Sequence, residues 1–507
     1  MLKFCSGSSL EVDYISFVHW LHSPSAEDLR RTFAACDVKE DGKLRPAELR
    51  LALKACGLVP TEEQIRSMSA AIGLTEVNVR AFLKLQDHMV RAAGDNKVDK
   101  DFPCVPHARR GLSLRQLQRI HECFISEGWL REKCDDMNNI HRQDIADRKA
   151  SPYVEDLYAL DSFFVRKVTH PETYRDVPTR LRVNAGLPDP THAVSYSELV
   201  NPAGLAVHFF VSHFWGHLFL QTLKSLEAFA VAELGMDAST ATFWLCLFAL
   251  NQHRASEEVG SSLEDSPFTA ALAKAMQGVV MVLDEKVHPL GRIWCLYEVQ
   301  RASDFRKPLT MLGEAGSLKQ DPVALMRVAD AVEAMRAIYA QASQDKDRLA
   351  IFHSIADADI RKIATSDLLL QRYLACPNAW KRFSEFDIKV SQALASALLQ
   401  VAQQRQDCQL ATRSLAWGAG ERDPIAWQQV ADLAGGAAAL AALRVQAKFE
   451  ASPLPLLHVA ARFGDAAGMK LLLEAGASAE GAAGEAGLTP AHYAALAGHG
   501  EVLRLLR

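Results

Sequence analysis

Ten cysteines are present, but no CxxC pair. A zinc ribbon and a thioredoxin-like site are therefore excluded, and thiols scattered in this way suit a reducing compartment. Neither charge sign is in marked excess: 56 Lys and Arg stand against 61 Asp and Glu, for a formal charge of -5. There is no global basic field for nucleic acid and no strongly acidic tail. Long hydrophobic runs are missing too. The most apolar stretches, 203–212 and 243–250, are too short to span a bilayer and read as buried strands. The N-terminus, MLKFCSGSSLEVDYISF, lacks a basic start followed by an apolar core, so no secretory signal is expected and the expected location is cytoplasmic. No glycine-rich phosphate loop occurs. What remains is ordinary globular composition, 49% hydrophobic and 23% charged over 507 residues. At roughly 100–200 residues per domain, that predicts about three or four domains.

Along the chain, residues 25–90 read as helices around one loop. Residues 91–202 form a mixed helical and irregular connection, with a helix near 112–127 and a Pro/Gly/Asn-rich end. From 203 to about 315, apolar strands alternate with helices. Strands are expected at 208–212, 243–249, 279–283 and 308–312, and helices at 218–234, 268–277 and 294–302. Residues 321–405 repeat apolar positions at helical spacing, as a lid on the sheet or an association surface. WGAGERDP (417–424) reads as a linker.

Residues 37–48, DVKEDGKLRPAE, resemble an EF-hand calcium loop. Such a loop needs oxygen donors at positions 1, 3, 5, 7 and 12 and a glycine at 6. Asp37, Asp41, the Lys43 carbonyl, Glu48 and Gly42 fit, and Leu44 supplies the apolar position 8. Lys39 puts a cation at position 3 and Arg45 another at position 9, so a dication loses one ligand and faces two positive charges. The partner hand falls in AAIGLTEVNVRAF (70–82), which is short and lacks the acidic series. The expectation is an EF-hand-like pair with one weakened Ca2+ loop.

An open parallel sheet binds its ligands beyond the carboxyl ends of its strands. Ser212 and His213 end the first strand, Asn251, Gln252 and His253 follow the second, and Asp284 and Glu285 follow the third. Their convergence in one crevice is the site expectation. A metal held by His213, His253 and Asp284, and a hydrolase built from Cys295, His213 and Asp284, are the alternatives these residue types allow.

The segments VSYSELV (194–200), FVSHFWG (210–216), FWLCLFALNQH (243–253), SPF (266–268) and RIWCLYEV (292–299) resemble an uncharacterised domain of algal and other protist proteins, notably of dinoflagellates. The likeness covers roughly 155–315. Val194 stands where that family carries a cysteine. More distantly, the order of elements resembles the TIR domain, with its flavodoxin-like parallel sheet and a helix near W-C-x-x-E. Some TIR domains cleave NAD at the bond to nicotinamide, and the residue matching their catalytic glutamate is Glu298. That resemblance implies a carboxylate that stabilises oxocarbenium-like charge. Arg292 would hold a phosphate, Trp215 would stack on a base, and the turn after the first strand would offer backbone N–H groups. The structural alternative pairs Glu298 with Arg292 or Arg301.

Near the end, PLLHVAARFGDAAGMKLLLEAGAS and GLTPAHYAALAGHGEVLRLL place His458 and His492 34 residues apart. They resemble ankyrin repeats over 452–507, with Leu456 where proline is usual and 426–449 as a degenerate preceding repeat. Two or three repeats are marginal alone. Either the natural protein continues past Arg507 or the last repeat leans on the helical region. The expected whole is a multidomain α/β plus α protein: an EF-hand-like pair, a TIR-like sheet, a helical extension and ankyrin repeats. Two functions fit it. One is a calcium-linked signalling scaffold that binds proteins and self-associates. The other is an NAD-cleaving enzyme using Glu298.

Overall fold

The structure is a computed structural model that describes residues 43–44, 77–78, 104–260, 263–343, 345–356, 377–419, 423–447, 452–484 and 486–506. The chain divides into two units, Met1–Pro103 and Cys104–Arg507. In the first, β1 (Lys43–Leu44) pairs antiparallel with β2 (Val77–Asn78), Lys43 opposite Asn78 and Leu44 opposite Val77. Asp37, Asp41 and Glu48 lie outside the described residues.

The second unit is built on a six-stranded mixed sheet. Its strands are β3 (Leu112–Ser113), β4 (Phe209–His213), β5 (Thr242–Trp244), β6 (Gly278–Val282), β7 (Leu309–Gly313) and β8 (Gly316–Ser317), ordered β3-β5-β4-β6-β7-β8. The four inner strands run parallel and the two edges antiparallel. Among the parallel strands the order is second, first, third, fourth. The strand order therefore reverses between β4 and β6, where the connections diverge to opposite sides, the place at which sheets of this kind hold their ligands.

The helices used below are α1 (Leu114–Ile120), α2 (Tyr196–Val200), α3 (Phe219–Glu227), α4 (Cys246–Ala249), α5 (Pro267–Lys274), α6 (Ile293–Asp304), α7 (Pro322–Ala334), α8 (Pro377–Arg405), α9 (Cys408–Ala416), α10 (Pro424–Leu433), α11 (Ala437–Ala441), α12 (Leu456–Phe463), α13 (Ala466–Glu474), α14 (Pro490–Leu496) and α15 (Gly500–Leu505). Several share one start signal. A capping Ser or Asp stands before proline at 266–267, 321–322 and 423–424, and its side chain accepts from the first free backbone N–H groups. Among the described residues no helix is long and apolar enough to cross a membrane.

All five residues of β4 and of β6 are buried, as strands covered on both faces require. Side chains alternate along β4. Phe209 and Val211 join a core with α1 and α3, while Phe210 and Ser212 point to the face covered by α5 and α6. That alternation brings Ser212 to α6.

Two expectations change. Residues 243–249 do not form one strand: β5 stops at Trp244 and α4 turns the chain. Leu112 begins an edge strand rather than a helix, because its backbone pairs with Phe243. The connecting region is also part of the core. From Val105 onward it supplies core residues such as Leu117, Phe124, Phe164 and Tyr196.

The helical extension and the repeats are likewise continuous with the sheet. One cluster of buried side chains runs from Met281 and Leu296 through Leu394, Leu415 and Trp417 to Trp427, Leu457 and Leu472. The 417–424 stretch is no free linker at its start, since Trp417 and Ala419 lie in that core.

Candidate functional site

Glu298 lies one helical turn beyond Trp294 on α6. Its Oε2 accepts from Ser212 Oγ at 2.5 Å. The side chain is 5% exposed and pairs with neither Arg292 nor Arg301. Arg301 instead meets Asp304 at 3.5 Å and lies over the Tyr297 and Phe305 rings. Burial pushes the Glu298 carboxyl up to about 8 against the opposing pull of the Ser212 bond, so at pH 7 it holds its proton.

Beside this pair, Trp215 Nε1 donates to Cys246 Sγ at 3.2 Å, and His213 Nε2 lies 3.9 Å from the same sulfur. Burial lowers His213 to about 4 and raises Cys246 to about 12, so both are neutral at pH 7. The turn that carries Trp215 is tight: a Cβ on Gly216 would come within 2.5 Å of the Phe214 ring. Arg292, half-buried at the start of α6, donates to Ser343 Oγ at 2.7 Å and lies 5.3 Å from the Phe214 centroid. Among the described residues no carboxylate pairs with it.

The remaining predicted residues are each bonded elsewhere. Asn251 Nδ2 donates to Ala193 O and its backbone N–H to Glu258 Oε2. His253 Nε2 meets Thr169 Oγ1 at 3.0 Å; burial first, then His170 and Arg166, lower it to about 4. Asp284 is taken by the backbone N–H and the ring of His288. His213, His253 and Asp284 therefore sit in three separate networks. Among the described residues no group of three or more His, Cys, Asp or Glu is arranged to hold a metal. The hydrolase alternative fails on geometry as well. Cys295 Sγ points at the His213 carbonyl (3.5 Å), its thiol is pushed up by burial, and Asp284 does not reach His213 but bonds His288.

The motif segments find one another in space. Ser212 of FVSHFWG meets Glu298 of RIWCLYEV, Trp215 meets Cys246 of the NQH segment, and Phe268 of SPF stacks on Trp294 at 4.6 Å. Glu198 of VSYSELV closes the capping box of α2. Its other oxygen meets Arg110, 1% exposed, at 3.1 Å. Arg110 also holds Glu258 at 2.9 Å and the Ala249 carbonyl. No local pattern announces Arg110, because its partners lie far along the chain. Asp161 was also missed. One oxygen binds Arg166 at 2.8 Å, and the other is buried with no hydrogen-bond partner among the described residues. Tyr158 Oη, 2.5 Å from Ser343 Oγ, was missed for the same reason as Arg110.

At the C-terminal end, α12 with α13 and α14 with α15 form successive helix pairs, preceded by α10 with α11 and a β9–β10 hairpin (Arg444–Val445 with Leu454–Pro455). Thr489 and His492 close a capping box, Thr489 N donating to His492 Nδ1 at 3.1 Å. His458 Nε2 reaches forward to Gly481 O at 2.9 Å, and His499 Nε2 reaches back to Arg462 O at 3.0 Å. These contacts fasten consecutive repeats. Residues 457–507 match the family Ankyrin repeats (many copies). No curated protein and no solved structure matches the chain.

Proposed function

We propose that the protein is a calcium-linked scaffold that recruits a protein partner through its ankyrin end. The observation that carries this is the ankyrin match over 457–507, since stacked repeats present an extended surface suited to binding proteins. The single buried cluster that joins the described residues of the repeats to those of the sheet supports a fixed presentation of that surface. Support for the calcium input is the β1–β2 pair, which ties Lys43 and Leu44, positions 7 and 8 of the loop, to the stretch read as the partner hand. Lys39 and Arg45 keep the affinity low on this reading.

The test is hydrogen exchange on the full chain with a captured partner, with and without calcium. Partner recruitment as proposed requires new protection within 456–506. Protection confined to other regions refutes it. Calcium titration of the wild type and of Glu48→Ala tests the input: binding heat that the substitution does not abolish removes it.

A second reading, NAD cleavage in a TIR-like core, draws on the Ser212–Glu298 pair at the point where the parallel strand order reverses, and on Arg292, which pairs with no carboxylate among the described residues. It needs Glu298 to ionise and become accessible during turnover. Nicotinamide release from NAD that rises as the pH passes 8 and vanishes in Glu298→Ala supports it. No release at any pH, with or without calcium, refutes it.

A further inference from the structure

We propose that the outer face of the repeat stack, built on α13, is a seam for a second copy of this chain. A groove of about 770 Å³ runs along that face. Five alanines from α11, α13 and its end line it together with Leu471, and Lys470, Glu474 and Glu501 line it as well. Small side chains let another helix approach closely, and half-buried Leu471 supplies an apolar contact between them.

The charges decide the occupant. Lys470 and Glu474 are exposed and stand one turn apart on α13, yet neither joins an ion pair among the described residues. A two-fold contact uses the same patch twice, so the patch must carry both a charge and its complement. This one does. With two α13 helices antiparallel and the axis level with Leu472, the two Leu471 side chains meet beside the axis. Each Lys470 then faces Glu474 of the other copy, with Glu501 adjacent. A foreign helix would have to reproduce that spacing; a second copy brings it.

The seam is independent of partner recruitment by the repeats, so either claim can fail alone. The test is the mass of the full-length protein in solution by light scattering and sedimentation across about 1 to 100 μM. The expected result is a dimer. Lys470→Glu and Glu474→Lys each place two like-charge contacts across the axis and should each raise the dissociation constant at least about tenfold. The double variant, which restores both pairs with the signs exchanged, should return the dimer. Circular dichroism and melting temperature of each variant confirm that the fold is intact. A monomer throughout the range overturns the proposal and leaves the groove to another protein's helix. So does a dimer indifferent to both single substitutions, or a double variant that fails to recover.

Discussion

Glu298→Gln isolates the cost of a buried acid. In the unfolded chain the carboxyl titrates near its ordinary value of 4.5, and in the folded protein burial moves it to about 8. Below pH 4.5 both states hold the proton and the group costs nothing. Between about 4.5 and 8 the unfolded chain releases its proton while the folded one keeps it, so stability falls by about 1.4 kcal/mol per pH unit. The loss reaches about 3 kcal/mol at pH 7 and levels off near 5 kcal/mol above pH 8. Glutamine keeps the shape and a partner for Ser212 Oγ but cannot ionise. The variant should therefore match the wild type at pH 4.5 and gain on it steadily to pH 8. A melting series in matched buffers reads this as a difference of about zero at pH 4.5 growing to several degrees at pH 8.5. Parallel curves for the two proteins across that range would refute the reasoning. They would mean that Glu298 is solvated or paired in a way the Ser212 bond does not reveal.

Three further outcomes are expected. Arg110→Met leaves the half-buried Glu198 and Glu258 facing each other without their shared cation and should cost about 2–3 kcal/mol, read as a lowered melting temperature, with partial recovery when Glu258→Gln is added. Gly468→Ala brings a Cβ to 2.4 Å from the Trp427 ring, and that ring is fixed by its bond to Asp465, so the repacking should cost about 1–3 kcal/mol by denaturant titration. Thr489→Ala removes the capping hydroxyl of α14 and should cost about 1 kcal/mol, with faster amide exchange confined to that helix pair.

The legible parts of the fold were those written in local periodicity. The strands at 208–212, 279–283 and 308–312 fall within one residue of β4, β6 and β7, because runs buried on both faces leave few other readings. The 243–249 run fails because apolar residues alone do not separate a short strand from the helical turn that follows it. Leu112 was misread because its strand is imposed by Phe243, which lies far along the chain. In the candidate site, the place of Ser212 at a strand end and the one-turn spacing of Trp294 and Glu298 were visible; the alternation along β4 that brings Ser212 to Glu298 came from the structure. The expected convergence of Asn251, His253 and Asp284 was not met. Each finds a nearer partner, Ala193, Thr169 and His288, that no strand-end argument contains. Long-range electrostatics such as the Arg110 clamp leaves no periodic mark at all.

The unbroken core bears on how force travels through this chain. A repeat array hung on a flexible linker would absorb the pull of a bound partner by straightening that linker. Here α10 and α12 pack through α9 and Trp417 onto α8, and α8 packs on α6, the helix that carries Glu298. Load applied at the repeats is borne, through the described helices, by the packing around α6 and the sheet edge. Tension on the repeats would therefore be passed through that packing toward α6, the helix that positions Glu298 against Ser212.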